Sequence, residues 1–269
     1  MTEKIGVLGC GWLGLPLAKQ LVLDSHEVFG STTSEDKLLQ LKNEGIQPYQ
    51  ITLKPEKIHG NIQDFLSQID VLIINVPPRL RGSSTESFID KMVLLRQEIQ
   101  KCGVAKVIFV SSTAVYGDLE GEVTEQTQTH PTNESGIQLV QSEMLFWDDP
   151  NIKTTIIRFG GLIGPDRHPV TMLAKKQELS NGNDPVNLIH LDDCIHMIQT
   201  ILVNQYWGDI FNGVNPFHPS KNDYYSSEAA KRNLPLPPYQ IDNTPSKAKV
   251  VISKNFLDKG HAFNTSIIS

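Results

Sequence analysis

The sequence predicts an α/β protein: a doubly wound parallel sheet with a smaller C-terminal lobe interleaved with its end. Three observations predict it. Short, β-rich apolar runs alternate with longer helical stretches over the first two thirds of the 269 residues. Several strands ("VLIINV", "VIFVSS", "TTIIRF") are apolar without alternation, which requires helices on both faces. A glycine-rich turn within "IGVLGCGWLG", residues 5–14, joins the first strand to the first helix.

Taken in order, strands are expected at residues 4–8, 27–32, 49–53, 71–76, 107–111 and 154–158. Helices are expected between them at 13–23, 34–44, 86–102 and 133–147. Beyond Gly164 proline becomes dense and the alternation breaks. Residues 1–165, completed by 186–206, are therefore expected to form the core. Residues 166–185 and 207–269 are expected to form the smaller substrate-side lobe.

Composition narrows the function classes. The chain is 39% apolar and 20% charged, as an ordinary globular protein is. A net charge of −6 argues against general binding to a nucleic-acid backbone. The three cysteines, Cys10, Cys102 and Cys194, lack metal-ligand spacing and read as buried thiols of a reducing compartment. No metal site is expected. The leader "MTEK" lacks the positive excess of a signal peptide, and no stretch approaches a membrane span. The expectation is a cytoplasmic protein without nucleic-acid or membrane partners.

Gly9, Gly11 and Gly14 fit G-x-G-x-x-G, after a strand and opening a helix. The first glycine permits the tight turn. The second lets backbone N–H groups approach a pyrophosphate, and the third lets helix and strand pack closely. The positive end of the helix then faces the phosphates. This is the cradle of a Rossmann dinucleotide site, and it places Gly9, Gly11, Trp12, Leu13 and Gly14 against the cofactor. A glycine-rich turn without a ligand is the plainer alternative.

The end of the second strand selects the dinucleotide. NAD units usually carry an acid there for the ribose 2′-hydroxyl. This chain has Ser31, Thr32 and Thr33, with Glu35 and Asp36 only later and Lys37 beyond them. Nothing anionic stands ready to repel a 2′-phosphate, so NADP is favoured over NAD. On the plainer reading Ser34 caps the next helix. Val76, Pro77 and Pro78, in "NVPPRLRG", pass beside the cofactor, and Arg79 or Arg81 could reach phosphate.

After the fifth strand comes "VSSTAVYGDLEGEVTE", with Ser111, Ser112, Thr113 and Tyr116 at a strand tip where such sheets bind ligands. Together with the glycine turn, "RFGGLIGP" (158–165) and "IHLDDC" (189–194), this stretch resembles the extended short-chain dehydrogenase/reductase superfamily, the NAD(P)-dependent epimerase/dehydratase group. The similarity covers nearly the whole chain and is most specific over the first 165 residues. It implies that the fifth-strand hydroxyl, here Ser112, hydrogen-bonds the reacting oxygen. It also implies that Phe159, Gly160 and Gly161 border the nicotinamide. A helix-pair homodimer through 86–102 and 133–147 is implied as well, with a monomer whose sheet is well covered as the alternative.

Departures from that pattern matter. The group's Tyr-x-x-x-Lys pair falls on Ser135 and Leu139, and the acidic pair of dehydratases falls on Thr113 and Ala114. A phenol near pKa 10 can be drawn toward neutrality by an ammonium, but a serine hydroxyl is far too weak an acid. Leu139 supplies neither charge nor a ribose contact. Tyr116 is the nearest other phenol, although in the resembling motif it shapes the loop. Glu134 reads as a first-turn carboxylate rather than a base. Arg158 reads as half of an internal ion pair, Arg167 as a loop charge or an anchor for an anionic substrate, and His190 as a structural hydrogen-bonder. Two functions remain open. One is an atypical NAD(P)-dependent oxidoreductase or epimerase-like enzyme acting on a small molecule. The other is a non-catalytic NAD(P)-binding redox sensor.

Overall fold

The computed structural model describes residues 2–78, 86–240 and 244–268. Among them, seven strands form one parallel sheet: β1 (Lys4–Leu8), β2 (Glu27–Thr32), β3 (Gln47–Gln50), β4 (Val71–Ile74), β5 (Lys106–Ser112), β6 (Lys153–Phe159) and β7 (Ile210–Gly213). Their spatial order is β7-β6-β5-β4-β1-β2-β3, a doubly wound arrangement whose order reverses beside β1. β1 aligns Val7 with Gly30 on one side and Leu8 with Ile74 on the other. Every residue of β4 is buried, as expected of a strand covered on both faces.

The helices pack in two layers. On one face lie α3 (Ile62–Ser67), α4 (Phe88–Cys102) and α5 (Glu134–Trp147). Phe65, Met92, Leu95, Ile99 and Phe146 fill the space beneath them. On the other face lie α1 (Gly14–Leu23) and α6 (Leu191–Val203), burying Leu17, Ala18, Met197 and Ile201. Helix α2 (Asp36–Asn43) flanks β2 and β3. A third apolar cluster, with Val170, Tyr224, Tyr225 and Ile267, forms the C-terminal lobe around α7 (Lys221–Lys231).

Local chemistry explains most boundaries. Ser87 accepts from Asp90 N at 3.2 Å and starts α4, which Gly103 ends in the left-handed region at φ 74°. Asn133 accepts from Gly136 N at 2.9 Å to start α5, and Glu134 stays exposed in its first turn. His190 Nδ1 accepts from Asp192 N at 3.2 Å and caps α6. Strand β4 stops at Ile74, two residues early, because Pro77 and Pro78 cannot donate to a ladder.

Other expectations need correction. Ser34 caps nothing: its N–H is taken by Thr32 Oγ1 at 3.2 Å, and α2 begins uncapped at Asp36. The strand expected over 49–53 runs from Gln47 to Gln50 instead. The chain then turns off to pair Thr52–Leu53 antiparallel with Ile58–His59, around Pro55. The segment 207–269 does not belong wholly to the small lobe. Ile210–Gly213 pairs with residues 156–159 as the outer sheet strand, and buried Phe256, of the short helix Lys254–Asp258, packs into the second core. Cys10 and Cys194 are buried, but Cys102 is only half-buried.

The small lobe holds a neutral histidine. His168 Nδ1 accepts from Val170 N at 3.2 Å, so Nε2 carries the proton and donates to the Tyr224 hydroxyl at 3.0 Å. Tyr224 donates onward to Ile267 O at 2.8 Å. Burial, with Arg232 nearby, pushes the His168 pKa down from 6.5 to about 4, against the pull of the Glu228 carboxylate. A depressed histidine stabilises the fold fully above pH 6.5 and loses that contribution as the pH falls toward 4. The melting-temperature advantage of the wild type over His168→Gln is therefore expected to shrink between pH 6.5 and 4 in differential scanning fluorimetry. A constant difference would refute it.

Candidate functional site

The turn between β1 and α1 shows why three glycines are spaced as they are. Gly9 has φ 108°, and a Cβ there would stand 2.5 Å from the Asn75 carbonyl. A Cβ on Gly14 would stand 2.1 Å from the Gly9 carbonyl, so the helix can start this close to the strand only without a side chain. Around Gly11 there is open space to 4 Å. The loop is held from both sides: Gly9 N donates to Ser31 Oγ at 2.9 Å, and Asn75 Nδ2 donates to Gly9 O at 3.0 Å.

Helix α1 has no side-chain cap and no acid in its first turn. Among the described residues nothing accepts from the N–H groups of Trp12 or Leu13. Free amides at an uncapped helix start, beside open space at Gly11, fit a diphosphate.

The cradle opens into a cleft of about 510 Å³. Gly9, Gly11, Ser31, Thr32, Thr33, Val76 and Pro77 all line it. The Ser31 hydroxyl, however, is buried and committed to the Gly9 amide, so Ser31 shapes the loop, while Thr33 and Lys37 are exposed to the cleft. Trp12, Leu13, Gly14 and Pro78, also expected at the cofactor, are not part of this wall; Arg79 and Arg81 lie outside the described residues.

Sequence reasoning missed the rest of the wall. Ile51, Thr52, Leu53, Phe88 and Met92 line it, together with Lys54, Glu86 and Lys91. Glu86 bridges the two lysines, Oε1 to Lys54 at 2.5 Å and Oε2 to Lys91 at 2.6 Å, and they hold its carboxyl down to about 2. No sequence motif marks residues so far apart in the chain. Buried Cys10 also lines the cleft, its thiol pushed up to about 12 by desolvation.

At the tip of β5 the hydroxyls divide by role. Ser111 points inward and donates to Glu143 Oε1 at 2.5 Å. Glu143 meets Arg158 through Nη2–Oε2 at 2.6 Å and Nε–Oε1 at 3.1 Å. Arg158 Nη1 donates to the Tyr116 hydroxyl at 2.9 Å, and Tyr116 donates to Asn212 Oδ1 at 2.8 Å. Tyr116 is thus fully buried with its oxygen committed on both sides, and burial raises its pKa. This geometry fits the loop-shaping role that the resemblance implies for Tyr116. Removing one partner of a buried pair such as Arg158–Glu143 typically costs about 3–5 kcal/mol.

Ser112 behaves differently. Its Oγ accepts from Ala114 N at 3.2 Å, capping the single turn Thr113–Tyr116, which leaves its own proton free to donate. A Cβ on Gly136 would stand 2.8 Å from the Ala114 carbonyl, so α5 presses directly on this turn and brings half-buried Ser135 beside it. Leu139 is buried in the apolar layer with Phe88, Met92 and Val115. Gln138 accepts from Phe88 N at 2.6 Å, tying α5 to the start of α4. Glu134 Oε1 only accepts from Gln138 Nε2 at 2.5 Å.

Phe159 is buried against Gly213, while Gly160 N and Gly161 N donate to Gly213 O and Asn187 O at 3.0 and 2.8 Å. Trp12 reaches over to the Gly-Pro loop: its Nε1 donates to Pro165 O at 3.1 Å, and Arg167 lies 4.8 Å from its ring centroid. Among the described residues, no group of three or more His, Cys, Asp or Glu could hold a metal ion, and no helix is long and apolar enough to cross a membrane.

A doubly wound sheet, a glycine cradle at its switch point and a hydroxyl-tipped fifth strand define a protein of the Rossmann dinucleotide-binding class. Residues 6–212 match the profile of the NAD dependent epimerase/dehydratase family, and the chain belongs to that family. Protein YeeZ of Escherichia coli (strain K12) is 33% identical over 250 residues, spanning 93% of this chain and 91% of that protein. The structure of MoeE5 in complex with UDP-glucose and NAD superposes at TM-score 0.77 with 18% identity, covering 98% of this chain and 94% of that one. The UDP-glucose 4-epimerase of Thermotoga maritima gives TM-score 0.76 with 16% identity, covering 98% and 94%. At these identities the two structures share the fold with this chain.

Proposed function

We propose that this protein is an atypical NAD(P)-dependent oxidoreductase or epimerase-like enzyme acting on a small molecule, with NADP as the preferred cofactor. The observation that carries the reading is the uncapped start of α1, whose Trp12 and Leu13 amides lack acceptors beside the open space at Gly11. The cofactor bound by related proteins such as MoeE5 is NAD. The NADP preference rests on charge in the cleft: Lys37, Lys54 and Lys91 line it against the single carboxylate of Glu86. A 2′-phosphate near Thr33 and Lys37 would meet a net positive wall, and the acids Glu35 and Asp36 are not part of that wall.

When bound, the nicotinamide supplies hydride transfer to or from a substrate carbon. The chain's part is to hold the substrate oxygen. Ser112 donates its free proton to that oxygen, with Thr113 adjacent on the same turn. Ser135 and Leu139 cannot act as the acid and its ammonium partner, so the proton moves without the usual pair. The same replacement favours the second reading, a redox sensor that binds the cofactor and does no chemistry.

Helices α4 and α5 pack side by side and expose Ile137, Met144 and Trp147. Half-buried Ile89 and Val93 extend this apolar strip, which supports a homodimer through the pair. Sedimentation velocity is expected to give twice the 30.0 kDa chain mass, and Met144→Glu to return it to one. A wild type that sediments as the single chain refutes the dimer.

For the cofactor, NADPH is expected to raise the melting temperature, more than NADH does. Gly11→Asp should abolish the rise by placing a carboxylate in the pyrophosphate space, and Lys37→Glu should reverse the preference. No rise with either dinucleotide would end the cofactor reading. For the chemistry, NADPH oxidation is followed against a panel of carbonyl compounds. Ser112→Ala should lower kcat by roughly a hundredfold, the usual scale for a positioned proton donor. NADPH binding without oxidation of any kind selects the sensor instead.

A further inference from the structure

The turn that carries Ser112 and Thr113 ends at Gly117, and the Gly117 carbonyl accepts from Nζ of Lys249. Lys249 comes from the far end of the chain. Its backbone is fastened there by Asn187, whose Nδ2 donates to Lys249 O at 2.9 Å and whose Oδ1 accepts from Val251 N at 2.8 Å. Asn187 O in turn accepts from Gly161 N at 2.8 Å, just beyond β6. Next in the chain, Val250–Val251 pairs with Glu122–Val123, the segment following the β5 turn. One short run of the C-terminal lobe thus bridges the tips of β5 and β6, and its lysine points back at the hydroxyl turn.

That lysine has no ion-pair partner within 4 Å among the described residues. An ammonium has three donors, and among the described residues only the Gly117 carbonyl accepts one of them. Asp118 acts on it from the same turn and Lys221 from α7, while Lys221 itself is paired with Asp184 at 3.1 Å. The ammonium is half-buried, and desolvation lowers its pKa. Arg158 also touches this turn, at Tyr116, but Glu143 neutralises it. A partly desolvated cation with one hydrogen-bond acceptor, and Asp118 acting on it from beyond ion-pair distance, keeps donors for an anion.

We infer that Lys249 is the substrate-side cation of this site, binding an anionic oxygen group of the small molecule whose reacting oxygen meets Ser112 and Thr113. This assignment rests on the enzymatic reading above. An ammonium is a point charge that accepts phosphate or carboxylate alike, so the group is either of these. It also accounts for charge that α5 lacks: with Leu139 in the helix, the cation at the hydroxyl turn that no carboxylate neutralises comes from the C-terminal lobe.

The test uses the full chain saturated with NADP and two probes: UDP, which offers only phosphate, and glucuronate, which offers only carboxylate. Calorimetry is expected to detect one of them. Lys249→Gln, whose amide can still donate to the Gly117 carbonyl, should weaken that probe at least about tenfold, the loss of one charge-assisted hydrogen bond. Lys249→Arg should stay within roughly threefold of wild type, because the charge is kept. Both variants should keep the wild-type NADP response and unliganded melting temperature. Lys249→Gln binding the probe as tightly as wild type overturns the assignment, as does wild type binding neither probe. Loss of the NADP response in the wild type brings down the cofactor reading instead.

Discussion

The carboxylate of Glu143 is the point on which the C-terminal tips of β5, β6 and β7 depend. It receives Ser111 from β5 and Arg158 from β6, and Arg158 passes the connection through Tyr116 to Asn212 of β7. One buried ion pair therefore fixes the relative positions of three strands and a helix. A buried pair gains little over a hydrophobic one, but it is unforgiving of misplacement, since every donor must find its acceptor. That requirement holds the Ser112–Gly117 turn in a single geometry. The hydroxyl that faces outward, Ser112, is set by its neighbour Ser111, which faces inward.

At the other end of the cleft the constraint is steric. Gly9, Gly14 and Asn75 approach so closely that neither glycine could carry a Cβ. The reward is a helix start without a cap, with amides aimed into open space. The two constraints meet across the sheet. Trp12, in the glycine turn, bonds to the carbonyl of Pro165 in the loop that follows β6 and lies under Arg167. The glycine turn and the Gly-Pro loop are thus physically joined rather than merely adjacent.

Between these fixed ends Leu139 packs into the apolar layer with Phe88 and Met92, and Ser135 stands half-buried in the first turn of α5. The Gly136 contact and the Glu143 pair hold that helix against the Ser112–Gly117 turn. Positive charge is supplied elsewhere, by Lys37, Lys54 and Lys91 along the cofactor cleft and by Lys249 above the hydroxyl turn.

What the sequence determined by itself is whatever depends on neighbours in the chain. Strands β1 and β2, helices α1, α4 and α5, the glycine turn and the Arg158 pairing were legible because apolar period, caps and glycine spacing are local signals. Only the tertiary structure decided the rest. Strand β7 is short and isolated in sequence, and it becomes a strand because β6 offers an unpaired edge. Lys54, Glu86 and Lys91 share a wall only once β3, α4 and the loops between them are packed. The Tyr116 hydroxyl is committed because Asn212, 96 residues away in the chain, accepts its proton. Lys249 reaches Gly117 across 132 residues in the same way. Side-chain roles of this kind are set by contacts between distant segments, and folding alone brings those segments together.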